Sequence, residues 1–462
     1  MKLVYNVKDR PKFPQLLIFA FQQLLAIMAA TIAVPAIVGN GMSASAALFG
    51  AGAGTIIYQL FTKFKSPVFL GSSFAFIGSM CAAFAGAASA SSPKLGYLGI
   101  IIGAILAGLV YVVIAIIIKI AGVNWINKLM PTVVIGPTVA LIGLSLASAA
   151  VKDAVSYAAQ DDNGSFIMTT NAWISLVCAL VTLFVVVICS TYGKKMAKLI
   201  PFIIGILSGY AVAGVFTIIG FKTGNEALIV LDLASFQALT ENGITLSTFL
   251  QVPDFSIVKG ISSIKDIDAS YIATVAVAYV PVAFVVFAEH IADHKNLSSV
   301  IESDLLKEPG LSRTLLGDGV GSMVGAIFGG CPNTTYGESV GCVAITRNAS
   351  VATITCTAII ALLISFISPF VAFLDSIPGC VMGGVCITLY GFIAVSGLKM
   401  IQKVDLEKSA NLFTTSVILI TGIGGLALAI GKVTLTAVAC ALILGIIVNI
   451  VLTRKSETEA TE

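Results

Sequence analysis

Charge is what this sequence has least of. Asp, Glu, Lys and Arg make up 11% of its 462 residues, where an ordinary soluble domain carries about a quarter. So few charges cannot cover a water-facing surface. Disorder is excluded as well, because it needs low hydrophobicity and high charge. Histidine occurs only twice, as His290 and His294, and no third ligand stands near them to complete a zinc site. The nine cysteines form no C-x-x-C pair and no Cys/His ligand spacing. Nearly all fall inside apolar stretches, so they read as small core residues and not as a disulfide framework. No block of basic residues suggests nucleic acid. Enzyme signatures are missing too: there is no G-x-S-x-G, H-E-x-x-H, P-loop or dinucleotide fingerprint. No metal, cofactor or catalytic residue is expected.

Apolar residues fill the space these absences leave. They make up 58% of the chain, and the mean hydropathy is +1.03. Apolar segments fall near 13–38, 43–62, 67–90, 95–120, 125–150, 171–190, 196–220, 269–292, 311–330, 333–349, 351–373, 376–397, 410–430 and 432–452. Most approach the roughly 20 residues that cross a bilayer as a helix. The runs are continuous and not alternating, which excludes a β-barrel. The expectation is an all-α polytopic membrane protein with fourteen transmembrane segments. The basic N-terminus leads into a long apolar run without an A-x-A-type cleavage site, so it reads as a retained first span.

Charge placement tests the count. With a cytoplasmic N-terminus and strict alternation, twenty of the 26 basic residues fall inside and six outside, as the positive-inside rule requires. Both termini are then cytoplasmic, and the protein is a multi-pass resident of the cell membrane. The long polar stretches 151–170 and 221–268 both fall outside, and the second divides seven spans from seven. A weak internal repeat supports that division. M-P-T-V-V-I-G (130–136) matches I-P-G-C-V-M-G (377–383), and S-S-F-A-F (72–76) matches T-T-Y-G-E (334–338). A seven-span repeat has to be inverted, and inverted repeats with interrupted helices hold substrate where those helices break. Segments 3 and 10 are the interrupted ones, at Pro67 and Gly71-Ser72-Ser73, and at Gly329-Gly330-Cys331-Pro332.

Ionisable residues inside a membrane are costly and usually functional. Glu338 follows the second break; it could also simply cap the half-helix N-terminus. Glu289 and Asp293 share a helix face, as do His290 and His294. By spacing alone E-H-I-A-D-H could sit at the cytoplasmic edge, since Tyr271–Ala288 is already nearly a span. In that reading Asp293 is a solvated charge beside His294 or Lys295. Asp318 and Arg347 read as packing or interface charges, and Gln22, Gln23 and Thr31 as contacts between helices. Phe74 and Tyr336 stand at the two breaks, where a planar substrate could stack or where they could merely pack. G-D-G-V-G-S (317–322) reads as close helix packing.

Several stretches carry a resemblance: Q-Q-L-L-A-I-M-A-A-T-I-A-V-P (22–35), L-G-S-S-F-A-F-I (70–77), A-E-H-I (288–291), D-L-L-K-E-P-G-L-S-R (304–313) and N-T-T-Y-G-E-S-V-G-C-V-A-I-T-R (333–347). On these the chain resembles the nucleobase–ascorbate transporter family, also called nucleobase:cation symporter-2, and most of all its bacterial uracil permease branch. The resemblance spans about 13–452. It implies two inverted seven-span repeats. A core domain takes 1–122 and 269–373, and a gate domain takes 123–222 and 374–453. An extracellular connection covers 223–268, and a cytoplasmic tail 454–462. Short strands are implied in spans 3 and 10.

The resemblance places substrate contacts at Glu289, Glu338, Phe74, Tyr336, Gly337 and the small Ala30, and so moves Glu289 from the membrane edge into the site. It implies uracil as substrate, with protons as the coupling ion through Asp293, Glu289 and Glu338. Two nearby acids in low dielectric cannot both carry charge cheaply, which makes a proton a natural co-substrate. Four positions depart from the branch pattern. Gln23 and Asp293 stand where histidines are common, Ser339 replaces an asparagine and Cys380 a proline. A xanthine or urate carrier of the same family is the alternative, ahead of a membrane receptor or enzyme. The sequence leaves a homodimer open.

Overall fold

The computed structural model describes residues 3–122, 131–194, 196–241, 243–430 and 433–459. The opening of the fifth expected span, with Lys128 and Met130, lies outside the described residues, as do Lys2, Lys195 and Lys432 of the charge argument.

The protein is mostly helical. Its first part runs α1 (Phe13–Val38), α2 (Ala44–Phe61), β1 (Leu70–Ser72), α3 (Ile77–Ser89), α4 (Leu95–Ala121), α5 (Thr132–Ser145) and α6 (Ala147–Ala154). A small hairpin, β2 (Ala159–Gln160) and β3 (Phe166–Ile167), precedes α7 (Thr170–Tyr192) and α8 (Pro201–Thr223). After a connection of short helical turns come α9 (Ala269–Ile301), α10 (Leu311–Gly329), β4 (Asn333–Thr335), α11 (Gly337–Thr346) and α12 (Val351–Ile364). The chain ends with α13 (Gly379–Ile401), α14 (Ser409–Ile423), β5 (Leu428–Ile430), β6 (Val433–Leu435) and α15 (Ala437–Glu459).

Among the described residues, eight helical stretches are long and apolar enough to cross a membrane, α5 and α6 together forming one of them. This is a multi-pass membrane architecture. The remaining six expected segments are α3 and α11, each preceded by a strand, the glycine-rich α10, and α12, α14 and α15. Composition explains the shortfall. α10 carries Arg313, Asp318 and several glycines, and α3 and α11 give part of their length to extended chain.

The two interrupted segments meet. β1 pairs antiparallel with β4 in the register Leu70–Thr335, Gly71–Thr334, Ser72–Asn333. Non-helical backbone in an apolar surrounding must find partners within the protein, and α2 supplies them. Thr55 Oγ1 lies 2.9 Å from the Leu70 amide and 3.2 Å from its carbonyl. Gln59 Nε2 donates to the carbonyls of Ser66 and Val68. From the other strand, Asn333 Nδ2 donates to the Gly50 carbonyl at 2.9 Å. Gly71 has to be glycine, because a side chain there would run into the Tyr336 ring.

Small residues set the helix spacing elsewhere. A Cβ on Gly321 would lie 2.8 Å from the Gly54 carbonyl oxygen, and one on Gly50 would meet Gly325. G-D-G-V-G-S is therefore a packing stripe holding α10 against α2. The two P-x-x-V-x-G motifs place Pro131 and Pro378 at the N-caps of α5 and α13. These two helices pack on each other, with Gly397 against Gly136 and Ala140.

Candidate functional site

A cavity of about 380 Å³ lies where the strand pair, α9 and α13 converge. Five helices and both strand–helix junctions contribute to its wall. Of the residues expected from the sequence, Phe74, Glu289, Asp293, Tyr336, Gly337 and Glu338 all line it. Ala30 does not. It is buried on α1 in the cluster that contains Tyr336 and against which Phe74 packs, so it shapes the wall from behind.

The break in segment 10 places the second acid. Gly330 closes α10 at a φ of 72°, with its amide bonded to the Ala326 carbonyl. Left-handed backbone of this kind suits glycine. The chain then runs through β4 and restarts as α11 with Tyr336 as N-cap. The first helical bond of α11 is from the Val340 amide to the Tyr336 carbonyl. The N–H groups ahead of it are unused by the helix and stand at its positive end. Glu338 sits in that first turn, half-buried and facing the cavity. Tyr336 is buried, and its hydroxyl donates to the Ser72 carbonyl at 2.7 Å, fixing its ring to the opposite strand. Phe74 is half-buried and meets Tyr390 of α13 edge-on at 6.0 Å.

α9 contributes Glu289 and Asp293. The reading of Asp293 as a solvated charge is overturned: α9 runs on to Ile301, and His290, Asp293 and His294 are buried within the protein. Asp293 pairs with neither His294 nor Lys295. Thr335 Oγ1 donates to Asp293 Oδ2 at 2.7 Å, linking α9 to strand β4. Among the described residues no other side chain hydrogen-bonds to the carboxylate of Glu289 or of Glu338. Both acids are therefore available to a ligand.

The histidines turn the other way. His290 Nδ1–H donates to Asp318 Oδ2 (2.7 Å), and Nε2 lies 3.0 Å from Thr314 Oγ1. His294 Nδ1–H donates to the His290 carbonyl (2.8 Å), and its Nε2 lies 2.7 Å from the Tyr58 hydroxyl. The two imidazoles stack at 4.0 Å. Asp318 is thus the buried partner of a histidine inside the protein and not an interface charge.

Sequence reasoning missed part of the wall: Phe202, Phe392, Ser396 and Met400 on α8 and α13, and Asn296 on α9. Only Asn296 left a signal, three residues after Asp293 and seven after Glu289 on one helix face. Two of the noted departures also prove to be one feature. Gln23 Nε2 donates to Ser339 Oγ at 2.6 Å in a buried contact.

A multi-pass helical protein whose two broken segments cross beside a cavity bearing free carboxylates belongs to the class of membrane carriers. Comparison narrows the class. The description "Permease family" matches residues 14–431, and the chain belongs to this family, the nucleobase–ascorbate transporters. It is 39% identical to a uracil permease of Bacillus subtilis, covering 99% of this chain and 97% of that one. It is 38% identical to a uracil permease of Bacillus caldolyticus (98% and 95%). With the uracil permease of Escherichia coli K12 the identity is 33% (96% and 92%). These relatives are permeases, not enzymes. Among solved structures, the transmembrane domain of a cyanobacterium bicarbonate transporter, BicA, superposes with a TM-score of 0.64 at 13% identity, covering 96% of this chain and 100% of that one. A murine Solute Carrier 26 anion transporter in the inward-facing state gives 0.63 at 11%, covering 97% and 69%. At these identities the likeness is one of fold.

Proposed function

We propose that the protein carries uracil across the cell membrane together with protons. The observation that carries this reading is the convergence of Glu289 and Glu338, with Phe74 and Tyr336 beside them, on one cavity at the start of a half-helix. Uracil is planar and neutral, with ring N–H donors next to carbonyl acceptors. A carboxylate accepts from N–H, and a protonated one donates to a carbonyl. The amides at the start of α11 serve a second carbonyl. The aromatic rings confine a flat ligand. Loading a proton removes the cost of holding several carboxylates in one low-dielectric space. Asp293 is the third acid in reach, and its bond to Thr335 ties it to the strand that leads into Tyr336.

The proposed layout is fourteen spans in two inverted repeats, with 1–122 and 269–373 as core, 123–222 and 374–453 as gate, 223–268 as the connection and 454–462 as tail. Several features support it. The crossed strands and the paired Pro N-caps lie at corresponding places in the two halves. The cavity wall takes its ionisable residues from the proposed core, and Val139, Ile142, Phe202, Leu389, Phe392, Ser396 and Met400 from the proposed gate. A seam of this kind lets the core move against the gate. Exposed Asn296 and Ser396 mark an opening toward the C-terminal ends of α9 and α13. Charge asymmetry puts that side in the cytoplasm.

Uptake of labelled uracil into proteoliposomes tests the reading. Accumulation should rise with an inward acid gradient, collapse with a protonophore and ignore sodium. Excess unlabelled xanthine should not compete. Sodium-driven, pH-insensitive uptake would refute proton coupling, and competition by xanthine would point to the purine carrier instead.

A further inference from the structure

A second cavity lies away from the site, at the ends of α4 and α10, and we propose that it binds the headgroup of an anionic phospholipid. Its open volume is about 820 Å³. Phe61, Ile116, Ile120 and Leu316 form apolar walls, and Lys119 and Arg313 supply the charge. Phe61, Ile116 and Ile120 are exposed, as are both basic side chains. Among the described residues no acidic side chain lines the groove. Glu308, next to Pro309 at the groove's margin, is paired with Lys65 at 2.6 Å. Among the described residues neither Lys119 nor Arg313 forms an ion pair.

The groove follows from how the two helices pack. Gly319 meets the Gly108 backbone, and Ser312 Oγ donates to the Ala115 carbonyl at 2.9 Å. One turn farther along, α4 presents Lys119 in its last turn, while α10 begins after Pro309 and Gly310. Two cations from different helices, 194 positions apart, therefore face one apolar trough. Their charges call for an anion. The exposed apolar walls call for acyl chains, which a free phosphate lacks. Basic pockets between membrane helices on the cytoplasmic side suit acidic lipid headgroups, and charge placement puts Lys119 and Arg313 on that side. The site is independent of what the carrier transports.

Native mass spectrometry of the purified full chain, titrated with phosphatidylglycerol or phosphatidylcholine, tests this. The wild type should retain phosphatidylglycerol preferentially. Retention should fall roughly tenfold or more in Lys119→Gln/Arg313→Gln, since each basic residue gains several-fold at an anionic headgroup. The exchange Lys119→Arg/Arg313→Lys should keep it, showing that the folded site and not the variant's integrity is being read. Lys399→Gln/Lys403→Gln removes the same charge from an exposed helix end outside the groove and should change nothing. Three outcomes overturn the proposal: equal retention of both lipids, equal loss in the two charge-removing variants, or displacement of the lipid by millimolar inorganic phosphate.

Discussion

Six consecutive residues of α9, Glu289 to His294, serve two regions with opposite physics. Glu289 and Asp293 face a cavity where water and ligand reach them, and their partners are few. His290 and His294 face a buried interior where Asp318, Thr314 and Tyr58 hold both rings, and of these groups only Asp318 Oδ1 has no partner among the described residues. The same helical spacing of four generates each pair. The lesson is that polarity in a membrane helix does not by itself mark a ligand site. What distinguishes the faces is whether the protein has already satisfied the groups. A buried polar group with all its partners in place stabilises and orients, whereas one with unused hydrogen-bonding capacity beside a cavity is poised for a ligand.

Breaking the buried side should have the largest effect. Asp318→Ala strands the His290 Nδ1–H in an apolar interior; leaving a buried donor unpaired costs about 1–3 kcal/mol, and the cavity left by the lost carboxyl adds to it. A clearly lower melting temperature in detergent is expected, with uracil giving little rescue. An unchanged melting temperature would mean that the histidine network is not structural.

On the cavity side the loss should appear in binding. Glu338→Gln removes a charge-assisted bond worth about 1.5–3 kcal/mol. Uracil affinity by calorimetry should weaken at least ~10-fold while thermal stability stays near wild type. Wild-type affinity in this variant would remove Glu338 from the site.

Asp293→Asn separates coupling from binding. If Asp293 is the proton-linked group, the variant should keep measurable uracil binding and exchange in counterflow but lose gradient-driven accumulation. Intact accumulation would reduce Asp293 to a hydrogen-bond acceptor for Thr335.

The smallest effect concerns Gln23 and Ser339, a contact between α1 and α11 with no exposed surface. Gln23→His and Ser339→Asn should each cost about 1 kcal/mol, and together less than the sum, because touching residues couple. Strict additivity of the melting shifts would mean that the two positions are independent.

Much of this was legible in the sequence because its physical cause is local. Low charge and long apolar runs require a membrane. Gly71 and Gly330 mark the two breaks, as glycines do where apolar helical runs are interrupted; the structure adds that a Cβ would run into the Tyr336 ring at Gly71 and into Ser256 at Gly330. Glu289, Glu338, Phe74 and Tyr336 stand out as polar or aromatic groups at those breaks. The burial of His290, Asp293 and His294 was not legible from spacing, because α9 runs on for 33 residues and the neighbours that cover it are distant in sequence. The wall residues Phe202, Phe392 and Met400 look like any other apolar helix positions.

The sequence by itself determined the solvent this chain folds in, where its helices start and break, and which few residues can ionise inside it, since hydropathy, proline and glycine act over a turn or two of chain. Only the tertiary structure decided which of those groups are satisfied and which are free. That depends on Asp318 meeting His290, Thr335 meeting Asp293 and Ser339 meeting Gln23, contacts spanning 28, 42 and 316 positions. No local rule reaches that far, because such pairings are fixed by how closely the glycine-faced helices can approach.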